Sequence, residues 1–211
     1  MTIDDLFGNE ADTTIHLLDE GMNISYTSAF LNKSQSDLLF SELLSAVPWR
    51  QPEIWMFGRK VKIPRLTAWY GDEGAGYVYS GIKNDPLPWT TTLQNLRERV
   101  EKEVGSIFNS VLLNLYRDGN DHLSWHTDNE KELGAEPLIA SVSLGAERVF
   151  SLRSEIFNAR NSKYDLLLQH GSLVCMKGKT QVNWLHAMKK NLKIKDARIN
   201  LTFRQVRSAL K

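Results

Sequence analysis

Arg198-Ile199-Asn200-Leu201-Thr202-Phe203-Arg204, near the end of the chain, alternates strictly between polar and apolar side chains. Such alternation predicts a β-strand, because successive side chains of a strand point to opposite faces. The apolar face can pack on a core, while the polar face presents two guanidiniums with an amide and a hydroxyl between them. Guanidiniums favour carboxylates and phosphates as bidentate partners. The segment therefore predicts either a site for a small anion with carboxylates at both ends or an edge strand with a solvated basic face.

Short strand-like runs separated by turn signals fill much of the chain between residue 108 and this segment. Two helices are predicted before them. One covers roughly 34–46, with Ser34 and Asp37 as a capping box, and the other runs from about 92 to 104 and ends at Gly105. This order predicts an α+β, mainly β fold, a sandwich or barrel with helices packed outside. The predicted strands are Val111–Tyr116, Leu138–Leu144, Val149–Leu152, Tyr164–Gln169, Leu173–Met176, Trp184–Met188 and Ala197–Val206.

The composition is that of an ordinary globular protein. The length of 211 residues suits a single compact domain with a sizeable core. No apolar run approaches the length of a membrane span, and the N-terminus lacks the features of a signal peptide. The single cysteine, Cys175, excludes an internal disulfide framework. We therefore expect a cytoplasmic monomer that does not interact with membranes.

Charge is distributed unevenly although the formal net charge is only +1. Residues 1–20 contain six acidic and no basic side chains, so the remainder carries +7. We interpret 1–20 as an acidic flexible tail, 21–90 as a lid with its supporting elements, and 91–211 as the core. Basic clusters permit contact with a phosphate backbone, although a solvated surface has the same pattern. They are Arg59–Lys62, Lys177–Lys179 and Lys189–Lys195.

His126-Thr127-Asp128 places an imidazole and a carboxylate two residues apart, on one face of a strand or strand end. A second histidine would complete two histidines and one carboxylate on one side of a metal, the site type of non-haem Fe(II) oxygen chemistry. His186 is the best third ligand, because it lies in a later strand-like run. The other histidines lie in the acidic tail or in turn-like contexts: His16, His122 and His170. An isolated His-x-Asp also occurs as an ordinary surface pair.

Asn114 and Tyr116 share a face of the run Leu113–Tyr116, shortly before the histidine–carboxylate pair. The order Asn-x-Tyr, His-x-Asp, Ser141–Gly145, His and Arg-x-Asn-x-Thr-x-Arg resembles the AlkB family of Fe(II)- and 2-oxoglutarate-dependent nucleic-acid demethylases. The resemblance covers roughly residues 48–207 and is specific in combination. It implies a double-stranded β-helix, or jelly roll, with outer helices and an N-terminal nucleotide-recognition lid.

The resemblance also assigns the polar residues of these motifs to a metal and a cosubstrate. It implies that Fe(II) is bound by His126, Asp128 and His186. It implies that 2-oxoglutarate, which is consumed together with O2, is held by Asn114, Tyr116, Arg198, Asn200, Thr202 and Arg204. Within that set, Arg198 is expected to pair with the distal carboxylate and Arg204 to lie nearer the metal-bound end.

The segments Pro64–Asp72 and Tyr77–Gly81 resemble the nucleotide-recognition part of the family's DNA-repair branch. Enzymes that act on a base take it out of the stack and hold it between aromatic surfaces. We expect Tyr79 to stack on the extruded base, with the ring of His126 on its other side. Tyr77 and Ser80 are expected to belong to the same substrate site, although core or cross-strand aromatics explain Tyr77 as well.

Three further residues are candidates for substrate contacts. Phe57, in Met56-Phe57-Gly58, matches a hairpin that duplex-acting relatives use as a wedge between base steps, although a hydrophobic turn packed on the core has the same letters. Arg65 is expected to contact the target strand. Glu130 is expected near the base edge, where it would favour a cationic methylated base, or else as a solvated loop charge.

The resemblance implies oxidative demethylation of N-alkylated bases such as 1-methyladenine and 3-methylcytosine in DNA, or also in RNA, with release of formaldehyde. Alkylated DNA is then the expected partner, and the nucleoid or the nucleus the place of action. Two alternatives stay open. One is a hydroxylase of a protein or small molecule with the same iron site, and the other is a non-catalytic nucleic-acid-binding module.

Overall fold

The computed structural model of the chain describes residues 14–56, 58–75, 77–79, 82–84, 86–156, 158 and 162–207. At residue 56 and in the ranges 77–79 and 82–84 the description covers the backbone but not the side chains.

Two antiparallel sheets form the body of the described structure, and this arrangement confirms the predicted mainly β jelly roll. The seven-stranded sheet has the order β1-β2-β13-β10-β15-β8-β5, and the four-stranded sheet has the order β12-β11-β14-β9. Two hairpins, β3–β4 and β6–β7, stand outside both sheets. The strands are β1 Thr14–Asp19, β2 Met22–Thr27, β3 Glu53–Met56, β4 Arg59–Lys62, β5 Leu66–Gly71, β6 Tyr77–Tyr79, β7 Ile82–Asn84, β8 Ser110–Tyr116, β9 Leu123–His126, β10 Ile139–Gly145, β11 Arg148–Ser154, β12 Lys163–Leu168, β13 Leu173–Lys177, β14 Trp184–Met188 and β15 Arg198–Arg204.

The strand β15 lies inside the large sheet and not at its edge. It pairs with β10 on one side and with β8 on the other, and all seven of its residues are buried. The alternative of an edge strand with a solvated basic face is therefore wrong. The polar row of β15 needs partners inside the protein, because a buried polar group without a hydrogen bond is costly.

The two faces of β15 look into different cores. Ile199, Leu201 and Phe203 pack with apolar residues of the helices in one cluster. Each fully buried side chain of this kind contributes about 1.5–3 kcal/mol. A second cluster lies between the two sheets and includes Tyr116 of β8 and Trp184 of β14. The polar face of β15 therefore points into the space between the sheets, next to this second cluster.

The helices have the predicted positions, but the first one begins differently. Helix α1 (Lys33–Ala46) has Asn32 as its N-cap, with a capping box between Asn32 and Gln35. The prediction of Ser34 and Asp37 as this box is wrong, because Ser34 is already the second residue of the helix and Asp37 contacts Lys33 and His170. Helix α2 (Thr91–Val104) begins at the cap Thr90 and ends at Gly105, whose φ of 67° is left-handed. A single turn, α3 (Thr180–Asn183), precedes β14.

The predicted division of the chain into tail, lid and core needs one correction. Thr14–Asp19 belong to β1 and pair with β2, so this part of residues 1–20 is an edge strand and not a flexible tail. Residue 90 was predicted as a functional division within one compact domain, and β2 and β5 lie in the same sheet as β8 and β15. Among the strands described within 21–90, those of the hairpins β3–β4 and β6–β7 lie outside the two large sheets. No helix among the described residues has the length and apolar character needed to span a membrane.

Gly145, at the end of β10, lies where the chain packs closely beside β15. Gly145 is opposite Arg198, and its φ of +84° is left-handed. A Cβ at Gly145 would lie 2.4 Å from the carbonyl oxygen of Ala197 and 2.6 Å from the ring of Phe40. Gly74 has the same φ of +84°, but an added Cβ meets nothing within 4 Å.

We expect Gly145→Ala to lower the free energy of unfolding more than Gly74→Ala does. The left-handed backbone costs about 1–2 kcal/mol in both variants, and the steric conflict adds about 1–3 kcal/mol in Gly145→Ala only. Urea unfolding followed by circular dichroism measures both losses. Equal losses would show that the contact with Ala197 is relieved without cost.

Candidate active site

Two histidines and one carboxylate converge between the sheets. His126, the last residue of β9, is the direct cross-strand partner of His186 in β14. Asp128 follows two residues after β9, and its Oδ1 lies 3.8 Å from His126 Nε2. One potential ligand atom from each of the three residues lies within 4.8 Å of the other two. This donor set is the kind that holds a transition metal and leaves positions open on the metal.

Hydrogen bonds orient these potential ligands. His126 Nδ1 lies 2.8 Å from the carbonyl oxygen of Ser124, which can only accept, so Nδ1 donates this hydrogen bond and Nε2, on the side of Asp128, is the nitrogen left for a metal. The backbone N–H of Asp128 donates to Oε1 of the buried Gln181 at 2.9 Å. Arg204 Nη2 donates to Asp128 Oδ2 at 2.8 Å. Hydrogen bonds therefore hold His126 and Asp128 in place, whereas Nδ1 of the buried His186 has no hydrogen-bond partner among the described residues.

The electrostatics of the site favour protonation states that suit metal binding. Burial lowers the pKa of His186 to about 3, so this imidazole is neutral near pH 7. Burial by itself raises the pKa of the Asp128 carboxyl, but the charge of Arg204, with smaller contributions from the two histidines, lowers it to about 2. A metal ion needs neutral imidazoles and an ionised carboxylate. The structure thus presents Asp128 and His186 in the required forms.

The polar row of β15 and that of β8 lie side by side. Tyr116 is opposite Arg198, and Asn114 is opposite Asn200. Arg198 Nη2 donates to Ser143 Oγ at 2.9 Å, whereas its Nε and Nη1 are buried and have no hydrogen-bond partner among the described residues. Burial lowers the pKa of Arg198 to about 10, so it stays a cation near pH 7. A buried guanidinium with two unused donors fits a carboxylate that binds from outside the chain.

The middle of the row is linked by short hydrogen bonds. Asn200 Nδ2 donates to Ser141 Oγ at 2.5 Å, and Thr202 Oγ1 donates to Asn200 Oδ1 at 3.0 Å. Arg65 Nε donates to Asn114 Oδ1 at 2.8 Å. Arg65 is buried and lines the cavity described below, and its contact with the target strand stays a prediction. Its partner Asn114 keeps it in the wall of the site.

One cavity joins the metal-type site to this anion-binding row. Apolar side chains from both sheets form much of the remaining wall, among them Leu112, Phe150, Leu168 and Met176. Ten of the predicted site residues line this cavity: Arg65, Asn114, Tyr116, His126, Asp128, His186, Arg198, Asn200, Thr202 and Arg204. Residues predicted from separate motifs are thus brought to one place.

The other predicted substrate residues have a different outcome. Tyr77 and Tyr79 belong to β6, which pairs with β7, but their side chains lie outside the described part of the chain. Phe57 and Ser80 also lie outside the described residues. Glu130 is half-buried before a short 3₁₀ helix (Lys131–Leu133) and does not line the cavity. The roles assigned to these residues stay predictions.

Sequence reasoning missed several residues that support the site. Ser124 and Gln181 orient His126 and Asp128 through hydrogen bonds to or from the backbone. Arg148 is buried and lies near the ring of Tyr116. No spacing rule could have found them, since the contacts of Gln181 and Arg148 join segments far apart in the sequence. The only sequence signal for Arg148 is its position directly before the predicted strand Val149–Leu152.

We expect Asp128→Ala and His186→Ala each to weaken binding of Fe(II) or Mn(II) by more than about 100-fold, because loss of even an outer-shell partner of a ligand costs 10- to 100-fold. Isothermal titration under anaerobic conditions measures the affinities. His170→Ala is the control, since His170 also contacts a carboxylate but lies away from the cavity. A comparable loss in His170→Ala would contradict the proposed ligand set.

Stability of the metal-free protein should fall as the pH is lowered from 7 to 5. The folded pKa of His186, about 3, lies below its ordinary value of 6.5, so between these values the unfolded chain binds the additional proton. Acid therefore favours unfolding, by about 2 kcal/mol over this interval. Asp128 adds to the loss only below about pH 4, because its folded pKa is lowered from 3.8 to about 2.

Urea unfolding at several pH values checks this expectation. The His186→Asn variant should show a flatter dependence on pH, while the exposed His16→Asn should retain the slope of the unmodified protein. An unchanged slope in His186→Asn would mean that another group titrates.

Comparison with known proteins shows to which family the chain belongs. The family model described as the 2OG-Fe(II) oxygenase superfamily matches residues 23–204. The chain is 39% identical over 184 residues to human alpha-ketoglutarate-dependent dioxygenase alkB homolog 3, and the match covers 84% of this chain. It is 37% identical over 199 residues to mouse DNA oxidative demethylase ALKBH2, a match that covers 90% of this chain and 83% of that protein.

Two further facts bound the comparison. The chain spans only 64% of the length of the human alkB homolog 3. A solved structure entitled "The structure of OsALKBH1" superposes with a TM-score of 0.64 at 15% identity and covers 92% of this chain and all of that one, which supports the fold alone. From the matched family model and the identity with its relatives, together with the shared jelly roll, the chain belongs to the AlkB family of the 2OG-Fe(II) oxygenase superfamily.

Proposed function

We propose that the protein is an Fe(II)- and 2-oxoglutarate-dependent dioxygenase that repairs N-alkylated bases in DNA by oxidative demethylation. The observation that carries the proposal is that one cavity holds a His-Asp-His group beside Arg198, a buried arginine with two donors that no described residue binds. Relatives named as alpha-ketoglutarate-dependent dioxygenase and as DNA oxidative demethylase support the assignment. Such a function places the protein where DNA is, in the nucleoid or the nucleus.

The proposed roles follow from the geometry of the cavity. Fe(II) would be held by His126, Asp128 and His186. The cosubstrate would be held by Asn114, Tyr116, Arg198, Asn200, Thr202 and Arg204. When bound, Fe(II) and 2-oxoglutarate supply the oxidation of the N-methyl carbon by O2, after which the methyl group leaves as formaldehyde.

The residues of the chain supply orientation and exclude water. Arg204 contacts Asp128 and therefore marks the metal end of the polar row, while Arg198 lies at the opposite end of β15. A dicarboxylate bound along the row would meet a guanidinium at each end. The apolar walls limit solvent in the cavity, which strengthens the interaction between the arginines and the anion. All the proposed ligands come from one chain, so we propose that a monomer is active.

On the substrate side, we propose that the base is extruded from the helix and held against Tyr79 and the ring of His126. A methyl group on the pairing edge weakens the base pair and lowers the cost of extrusion. Tyr77, Ser80 and Glu130 would complete the pocket, and Phe57 would act as the wedge in the duplex. The exposed Arg59, Lys60 and Lys62 of β4 supply positive charge for the phosphate backbone.

We expect oligonucleotides that contain 1-methyladenine or 3-methylcytosine to be demethylated and to stimulate the formation of succinate from 2-oxoglutarate. The reaction needs Fe(II) and O2, and mass spectrometry of the oligonucleotide with a succinate assay measures it. His126→Ala should abolish succinate formation. Tyr79→Ala should impair demethylation while leaving uncoupled turnover of 2-oxoglutarate.

The same assays distinguish the proposed function from the two alternatives. Succinate formation that methylated oligonucleotides do not stimulate would favour a hydroxylase of a protein or small molecule. Absence of iron-dependent succinate formation under all conditions would favour a non-catalytic nucleic-acid-binding module. The unmethylated oligonucleotide of the same sequence is the matched substrate control.

A further inference from the structure

Arg148, a buried arginine that the proposed chemistry does not use, holds three backbone carbonyls. It is the first residue of β11, and only 2% of it is exposed. Its Nη1 donates to the carbonyl oxygen of Asp118 at 3.2 Å. Its Nη2 donates to the carbonyl oxygens of Asp121 at 3.0 Å and Lys189 at 2.8 Å. A planar guanidinium can make these three hydrogen bonds at once, because it has several donors in fixed directions.

The three carbonyls belong to segments that leave the strands of the site. Asp118 and Asp121 lie in the loop between β8, which carries Tyr116, and β9, which carries His126. Lys189 directly follows β14, which carries His186. Arg148 therefore ties the end of a strand in the large sheet to the ends of two strands in the small sheet.

Arg148 also brings a charge to the ring of Tyr116. The guanidinium carbon of Arg148 lies 5.7 Å from the ring centroid, and that of Arg198 lies 5.4 Å from it. Cations at this distance are attracted by the ring. Tyr116 is thus held between contacts with two buried arginines, and it is the cross-strand neighbour of Arg198.

No carboxylate in the described part of the chain makes a direct contact with either of these arginines. The carboxylate of Asp121, which is close in the sequence, is bound by Arg117 through Nε at 2.8 Å and Nη2 at 2.9 Å. Arg148 is bound to neutral carbonyls, and Arg198 to a hydroxyl. Two buried positive charges beside one ring repel each other, and an anion in the adjoining cavity reduces this repulsion.

We propose that Arg148 is a positioning residue for the distal carboxylate of the cosubstrate. It acts through Tyr116 and the loops that follow β8 and β14, and its charge adds to that of Arg198 at the far end of the row. This inference rests on the proposed function, because it takes 2-oxoglutarate as the anion in the cavity. It assigns a role in cosubstrate affinity to a residue that does not itself line the cavity.

The test compares a dicarboxylate with a monocarboxylate that has the same 2-oxo acid end. Full-length protein loaded with Mn(II) is titrated without O2, with 2-oxoglutarate in one series and with pyruvate in the other, using calorimetry. We expect Arg148→Met to weaken 2-oxoglutarate by about 10-fold or more and pyruvate by less than about 3-fold, because pyruvate has no distal carboxylate. The affinity for Mn(II) should not change.

Two further variants separate positioning from a purely structural role. Arg148→Lys keeps the charge but loses the planar fork, so it should recover part of the affinity for 2-oxoglutarate. Should Arg148→Met not fold, Arg148→Lys is expected to weaken 2-oxoglutarate by about 3-fold with pyruvate unaffected. Arg117→Met is the matched control, since it removes the arginine that binds the carboxylate of Asp121 and leaves the contact of Arg148 with the ring of Tyr116 in place; it should bind 2-oxoglutarate like the unmodified protein.

The outcomes distinguish a failure of the role proposed for Arg148 from a failure of the proposed function. Equal weakening of both acids, an equal effect of Arg117→Met, or unchanged binding in Arg148→Met would overturn the role of Arg148. If the unmodified protein loaded with Mn(II) does not bind 2-oxoglutarate, the proposed function itself fails, which is a separate result.

Discussion

The buried ion pair between Arg204 and Asp128 connects the two halves of the site. Arg204 belongs to the large sheet, Asp128 follows the last strand of the small sheet, and their Nη2 and Oδ2 atoms lie 2.8 Å apart. Taking two charges out of water costs several kcal/mol for each ion, so such a pair lasts only where the remaining polar groups are also bound. Gln181 supplies one such bond to the backbone of Asp128. The pair therefore links the positions of the proposed metal ligands to the position of the anion-binding row.

This link depends on the central position of β15. Its neighbours β10 and β8 take up its backbone hydrogen bonds, and its apolar face is buried against the helices. The polar face must then be satisfied inside the protein. Ser141 and Ser143 accept hydrogen bonds from Asn200 and Arg198, but two donors of Arg198 have no partner in the part of the chain that the structure describes. The proposed dioxygenase chemistry depends on this cavity, in which the surplus positive charge of Arg198 lies near two histidines and a carboxylate.

Much of this arrangement could be predicted because its signals are local. Strand-like runs between turn signals located seven strands of the second half to within a few residues but not β9 (Leu123–His126), and Gly105 ended the second helix where expected. The cap of the first helix was chosen wrongly, since Asn32 with Gln35 fits the capping pattern as well as Ser34 with Asp37 does. Tertiary context decides between them, because Leu31 is held by a hydrogen bond to the carbonyl of Gly171.

Arg65 illustrates the limit of reasoning from sequence. Its contact with DNA stays a prediction, but nothing in the sequence pattern indicated that its Nε binds Asn114, on a strand that is distant in the chain. Gln181 and Arg148 were missed for the same reason, because they bind backbone groups of segments far away in the sequence. Many residue types can make such contacts with a distant backbone group, so the contacts leave no recognisable pattern in the sequence.

The chain alone established the polar and apolar faces of the strands, the donor types of the site and the family resemblance, since each of these depends on residues a few positions apart. The order of the strands, the pairing of His126 with His186 and the burial of Arg65, Arg148 and Arg198 became known only from the folded molecule. These features depend on which distant segments pair. The register of that pairing is set by the simultaneous packing of both faces of each sheet, and not by any single segment.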